Sequence, residues 1–203
     1  MTADPYQKMT AIYIEKFRRY LYQSTSLPAE TIDLFVRVSK PRIYNKGEYF
    51  SKQGEVIDKT AYICEGIFNV FNTQEDGTLF VVTFLKEDDF VQSRFDTSAP
   101  SIVTIQALYD TVVIEFQTKR IKNMYLQYPQ LGNFARCILE KYFGVYTAHM
   151  IQNGTMKSLD NYQLFKHNFQ RDEDRIPQHL IAAYLGITPT QLSRVRRKLS
   201  SAY

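Results

Sequence analysis

Ile176-Pro-Gln-His-Leu-Ile-Ala-Ala-Tyr-Leu-Gly186-Ile-Thr-Pro-Thr-Gln-Leu-Ser-Arg194-Val-Arg-Arg-Lys-Leu199 is the stretch whose reading decides the chain. Counted from Gln178, small Ala182 falls fifth, Gly186 ninth, and apolar Leu192 and Val195 fifteenth and eighteenth. The spacing predicts two short helices joined by a tight turn. The small residue lets them cross closely, the glycine supplies the turn, and the apolar pair buries the second helix. Pro177 and Pro189 suit first helical turns, and Thr188 is placed to cap the second helix.

At ~100° per residue, Leu192, Val195 and Leu199 share one side of that helix and face a core. Opposite them lie Thr190, Arg194, Arg197 and Ser201, with Gln191 and Lys198 on the flank. Arg and Gln read base edges in a major groove, while Lys, Ser and Thr suit phosphates. Thr188, Pro189, Thr190, Gln191, Ser193, Arg194, Arg197 and Lys198 are therefore the candidate DNA-contacting residues. Arg196 sits at the edge of the apolar stripe, where it reaches either a phosphate or its own domain. The competing reading is an amphipathic terminal helix with a solvated charged face.

Charge supports the first reading. The net charge of +4 divides unevenly. Residues 1–129 carry 15 Lys and Arg against 16 Asp and Glu, and residues 130–203 carry 10 against 5. The surplus lies wholly in the C-terminal part, and a local positive patch attracts a polyanion by releasing its condensed counterions. The 203 residues, 44% of them hydrophobic, suffice for one large or two small globular domains. No apolar run reaches the ~18 residues of a membrane span, and no signal-peptide pattern opens the chain, so a cytoplasmic protein is expected. Cys64 and Cys137 are too few and too distant for a disulfide framework or a zinc site, and both read as buried thiols. His149, His167 and His179 lack metal-ligand spacing. Neither metal nor cofactor is expected. The absence of a paired acid–base cluster, a nucleophile motif or a phosphate-cradling Gly loop argues against an enzyme.

Residues 6–23 and 27–38 have helical character. From Arg42 to Phe116 the pattern changes to short runs rich in β-branched and aromatic residues: 42–44, 48–50, 60–64, 67–71, 79–85, 101–107 and 111–116. Their roughly ten-residue spacing predicts an all-β barrel or roll, with Asp76-Gly77 as a hairpin turn. Residues 125–150 return to helix with two apolar stripes. Leu131, Ala135, Ile138, Tyr142 and Val145 form a heptad-like seam, and Leu139, Phe143, Tyr146 and Met150 form the second. One stripe packs on its own roll and the other on a partner, unless both are buried within one chain; the first is named as the dimer helix, while the sequence leaves open which of the two forms the seam. Asn153-Gly154-Thr155 reads as a hinge, followed by a helix at 159–169.

Lys46-Gly47-Glu-Tyr-Phe-Ser-Lys-Gln-Gly54-Glu resembles the opening of the cyclic-nucleotide-binding β-roll. Tyr62-Ile-Cys-Glu-Gly66-Ile-Phe-Asn-Val-Phe71 and Asp76-Gly77 fall where that family places strands and turn glycines. With the long helix and the terminal helix pair, essentially the whole chain resembles a Crp/Fnr family transcription regulator. The resemblance implies an α+β fold: an antiparallel, jelly-roll-like β-roll (a double-stranded β-helix) with flanking helices at 1–128, a dimerisation helix at 129–153 and a helix-turn-helix domain at 154–203. It implies double-stranded DNA, a second copy of the chain, a small-molecule effector and RNA polymerase as partners, with Arg194 at the family's base-reading arginine.

The departures are specific. Nucleotide-binding members carry a phosphate cassette reading roughly Gly-Asp-Phe-Ile-Gly-Glu, with an Arg-Ser or Arg-Thr pair about ten residues later. This chain has Asp88-Asp89-Phe90-Val91-Gln92-Ser93, with Ser101 and Ile102 where the pair would stand and Arg94 out of place. The run Glu87-Asp88-Asp89 would repel a phosphate. Cyclic AMP is therefore not expected to bind in the usual way, and any effector pocket would involve Phe90, Val91, Gln92, Ser93, Arg94, Ser101 and Ile102. No room is found for a β-hairpin wing beside the helix-turn-helix. A rival reading keeps the roll as a small-molecule-binding module whose terminal helices contact a protein partner.

Overall fold

The computed structural model describes residues 5–93, 96 and 98–201. They form seven α-helices and eight strands. Helices α1 (Pro5–Ser24) and α2 (Ala29–Arg37) lead into β1 (Lys40–Tyr44), β2 (Tyr49–Ser51), β3 (Thr60–Glu65), β4 (Phe68–Thr73), β5 (Leu79–Leu85), β6 (Phe90–Val91), β7 (Thr104–Ala107) and β8 (Thr111–Phe116). Helices α3 (Thr118–Met124), α4 (Pro129–Thr155), α5 (Ser158–Asn168), α6 (Gln178–Tyr184) and α7 (Pro189–Ser200) complete the chain. The strands form two four-stranded sheets, β1-β8-β3-β6 and β2-β7-β4-β5. The fold is the antiparallel roll with flanking helices that the strand spacing predicted.

Strand β8 pairs antiparallel with β1 and with β3, and the β3 register shifts between Ile63 and Glu65. Gly66 follows this bulge at φ +106°, and a Cβ there would sit 2.4 Å from Thr111 Oγ1. Only glycine fits this corner, on both backbone and steric grounds. Tyr44, Phe50 and Phe68 fill the roll. The Tyr44 ring meets Phe68 edge-on at 5.5 Å, and its hydroxyl donates to Glu115 at 2.7 Å. Outside the first sheet, Phe17 of α1 packs on Tyr62 and Phe35, with ring centroids 4.9 and 5.5 Å apart.

By contact density the chain divides into two units. One comprises Met1–Val70 with Phe84–Glu140, and the other Phe71–Thr83 with Lys141–Tyr203. This division differs from the three segments expected from sequence, because the β4–β5 hairpin tip belongs with the C-terminal helices. The expected hinge also moves. Asn153, Gly154 and Thr155 are the last residues of α4, and the break falls at Met156–Lys157. Gly154 has open space around it and stays helical, since one glycine costs a long helix only ~1 kcal/mol. Helix α3, which no sequence period announced, occupies seven residues before a turn at 125–128. Residues 101–103 lie outside β7, and the two-residue β6 was too short to read.

Cys64 is a buried thiol, pushed up to about 12 mainly by its burial. Cys137 is exposed, against expectation, because it falls on the outer side of α4. Among the described residues no cluster of His, Cys, Asp or Glu is arranged to hold a metal. No helix among them is long and apolar enough to cross a membrane.

Candidate nucleic-acid interface

The C-terminal helices form a small core of their own. Phe165, Phe169, Ile176, Leu180, Ile181, Tyr184, Leu185, Leu192 and Val195 are buried. Ala182 is 1% exposed at the centre of α6. Helix α6 ends in a Schellman turn: Ile187 N–H donates to Ala182 O at 3.0 Å and Gly186 N–H to Ala183 O at 3.3 Å. Gly186 takes φ +64°, the left-handed conformation this turn requires. Thr188 then caps α7. Its Oγ1 accepts from Gln191 N–H at 3.2 Å, and Gln191 Oε1 accepts from Thr188 N–H at 2.8 Å. This reciprocal box satisfies two of the orphan donors at the helix start.

The box fixes which side of α7 faces outward. Leu192 and Val195 are buried and Leu199 is half-buried, while Thr188, Pro189, Thr190, Gln191, Ser193, Arg194, Arg197 and Lys198 are all exposed. The structure thus brings the eight sequence-predicted residues onto one accessible helix. Among the described residues, the Arg194, Arg197 and Lys198 side chains make neither ion pair nor hydrogen bond. A cationic face without internal partners keeps its full charge for an anionic ligand. The side-chain carbonyl oxygen of Gln191 is committed to the cap, as the Thr188-x-x-Gln191 spacing of a capping box requires. Arg196 is half-buried and close enough to Tyr162 for its charge to oppose in part the upward pKa shift that burial gives that hydroxyl, which places it against its own domain. Tyr162 donates to Glu173, which also pairs with Lys166 at 3.7 Å, so the acidic turn before α6 is partly neutralised internally. Residues 156–201 contain no strand.

Helix α4 carries the two predicted stripes, and they differ in burial. Leu131 is 1% exposed and Ala135, Ile138 and Tyr142 are half-buried, so most of the expected dimer seam is turned toward its own chain. Only Val145 of that set is exposed. The other stripe is open, with Phe143 74% and Met150 71% exposed. A helix seen only as a sequence cannot show which stripe meets its own roll.

The expected effector residues do not converge. Phe90 and Gln92 line an apolar cavity of about 50 Å³ with Phe35, Phe116, Phe134 and Ile138. Val91 faces the opposite side of its strand and is buried. Ser101 is buried, donating to Val103 O at 2.6 Å, and Ile102 is exposed. Ser93 is half-buried and does not line the cavity, and Arg94 lies outside the described residues. The acidic run is partly engaged: Glu87 pairs with Lys16, and Asp88 accepts from the Tyr62 hydroxyl.

Residues 41–128 match the family model of the cyclic nucleotide-binding domain. FixK2 from Bradyrhizobium japonicum is 16% identical, with 81% of this chain and 86% of that chain aligned and a TM-score of 0.73. The c-di-GMP responsive global regulator CLP of Xanthomonas campestris is 18% identical over 86% of this chain and 93% of that one, at 0.69. The Thermus thermophilus catabolite activator protein is 18% identical over 87% and 85%, at 0.54. At these identities the likeness establishes a shared fold, extending beyond the roll into the C-terminal helices. No curated protein matches the chain at a significant level.

Proposed function

We propose that the chain is a sequence-specific, DNA-binding transcription regulator of the Crp/Fnr type, acting as a homodimer. The observation that carries this reading is the exposed, unpartnered cationic face of α7, held by a capped helix-turn-helix. Helix α7 enters the major groove, with Arg194 at base edges and Arg197 and Lys198 at phosphates. The exposed Phe143–Met150 face of α4 meets its twin in a second copy, and two-fold symmetry then sets the paired α7 helices ~34 Å apart on a near-palindromic site. Two of the similar structures are a global regulator and a catabolite activator protein, which supports the same class. RNA polymerase is the partner through which such a regulator acts. The reading assigns the chain no catalysis.

A salt titration of binding to duplex DNA tests the proposal. A steep linear fall of log K with log salt is expected, with a slope of about −0.9 per phosphate contact. A flat response would favour the rival, in which α6 and α7 contact a protein. Lys198→Ala is expected to weaken specific and random DNA alike and to reduce the slope by about 1.

Cyclic AMP is not the effector in this reading. A cyclic phosphate needs a positive, hydrogen-bonding seat. Here the cassette offers Gln92 and Ser93, and the cavity beside it is lined mostly by aromatic and aliphatic side chains, with the Thr60 and Thr118 hydroxyls bonded to each other. That cavity suits a small uncharged molecule, and its contact with Leu131, Ala135 and Ile138 would transmit occupancy to α4. Calorimetry with cyclic AMP is expected to give no heat of binding at micromolar concentration, and a micromolar Kd would contradict the assignment.

A further inference from the structure

The Schellman turn of α6 satisfies Ala182 O and Ala183 O, and Tyr184 O is next in line. Two side chains from α4 meet this carbonyl. His149 Nε2 lies 2.9 Å from Tyr184 O, and Asn153 Nδ2, one turn later, donates to the same oxygen at 2.8 Å. Asn161 of α5 holds Asn153 in place, its Nδ2 donating to Asn153 Oδ1 at 2.7 Å. The imidazole also stacks on the Tyr184 ring, with centroids 3.8 Å apart and planes 9° from parallel. His149 is 6% exposed and Asn161 5%. His149 also bonds the Val82 backbone, and in either ring tautomer Tyr184 O keeps a side-chain donor. With Nε2 protonated the ring donates directly to the carbonyl. With Nε2 bare it accepts from the Asn153 amide, 2.9 Å away, whose second proton serves the carbonyl. Burial holds the imidazole below its ordinary pKa, so the ring is uncharged at neutral pH.

Apolar packing between helices tolerates sliding and rotation. A buried carbonyl held by a linked pair of side chains from one neighbouring helix does not, because any shift leaves a polar group unpaired in a buried site. We infer that His149 and Asn153 are positioning residues that pin the helix-turn-helix to the end of α4 and so set the separation of the two recognition helices on DNA. The pin exists whether or not the chain binds DNA, but its use rests on the regulator reading above. In a dimer built on α4, rotating α6 and α7 about the end of that helix changes the half-site spacing the protein accepts. One base pair of spacing corresponds to roughly 34° of turn and 3.4 Å of rise.

Two measurements test the pin separately from its use. Spin labels at exposed Thr147 of α4 and Ser193 of α7 report their separation within one protomer. The unsubstituted protein is expected to give one narrow distance distribution. His149→Phe, which keeps a ring to stack on Tyr184 but loses both nitrogens, is expected to broaden it, as is Asn153→Ala, with the far-ultraviolet helix signal retained. Equal widths in all three proteins would overturn the pin. The second measurement compares affinity for the preferred DNA site with affinity for the same site lengthened or shortened by one base pair. Each variant is expected to lose about tenfold of this discrimination, the scale of one buried hydrogen bond, while affinity for an isolated half-site holds. A purely structural role would lower half-site and full-site affinity together. Unchanged discrimination in both variants would overturn the use. Absence of any specific DNA binding by the unsubstituted protein would instead remove the regulator reading and leave the distance measurement to decide the pin.

Discussion

Arg194→Ala is expected to lower affinity for the preferred duplex by about 1–3 kcal/mol, roughly tenfold to two-hundredfold, and to relax base preference at a single position of each half-site. Arg194 is exposed, lies opposite Leu192 and Val195 on α7, and has no acidic partner among the described residues. Removing its guanidinium therefore takes nothing from the fold, and the melting temperature should stay within a degree or two. Random-sequence DNA should lose far less affinity, because a nonspecific complex draws mainly on phosphate contacts. Parallel titrations of preferred and random duplexes make this comparison. Equal losses on both would show that Arg194 is only a phosphate contact, and no loss on either would remove α7 from the groove.

The second large effect concerns the exposed face of α4. Phe143→Asp is expected to turn a stable dimer into a monomer in sedimentation equilibrium. The phenyl ring is three-quarters exposed in the single chain, so the substitution costs the monomer little. In the dimer the same carboxylate would be buried against apolar side chains of a twin helix and left unpaired, at a cost of several kcal/mol. Affinity for a near-palindromic site should then fall toward that of one half-site, a loss of about 10²–10⁴ once the linkage between the two helix-turn-helix units is gone. Ile138→Asp makes the contrast. Its side chain lines the cavity beneath the first stripe, so it should lower the melting temperature before it alters the oligomeric state. If Ile138→Asp dissociates the dimer and Phe143→Asp does not, the seam lies on the first stripe after all.

These two predictions differ in how much of their basis was legible in the sequence. The α7 face could be read directly, since Leu192, Val195 and Leu199 mark the inner side and helical geometry fixes the rest. Ala182, Gly186 and Thr188 carry local requirements (close crossing, positive φ, a cap) that the residue types themselves disclose. The roll could be read from its β-branched runs and turn glycines. The dimer face could not, because two apolar stripes on one helix look alike until the surface covering one of them is known. The same holds for the cavity beside Phe90 and Gln92. Its wall draws on α2, α3, α4 and the strand ends, and strand alternation sends Val91 to the other side. His149 and Asn153 gave no signal either. A histidine and an asparagine one turn apart on a long helix take their meaning from the Tyr184 carbonyl they meet, which only the folded chain supplies.

The most direct test of the central claim is selection of bound fragments from random double-stranded DNA by the purified full chain. The account predicts enrichment of a near-palindrome whose half-sites lie about one helical turn apart or a multiple of it, bound with an affinity that falls steeply with salt. Recovery of no common sequence, together with binding that is weak and indifferent to ionic strength, would contradict it.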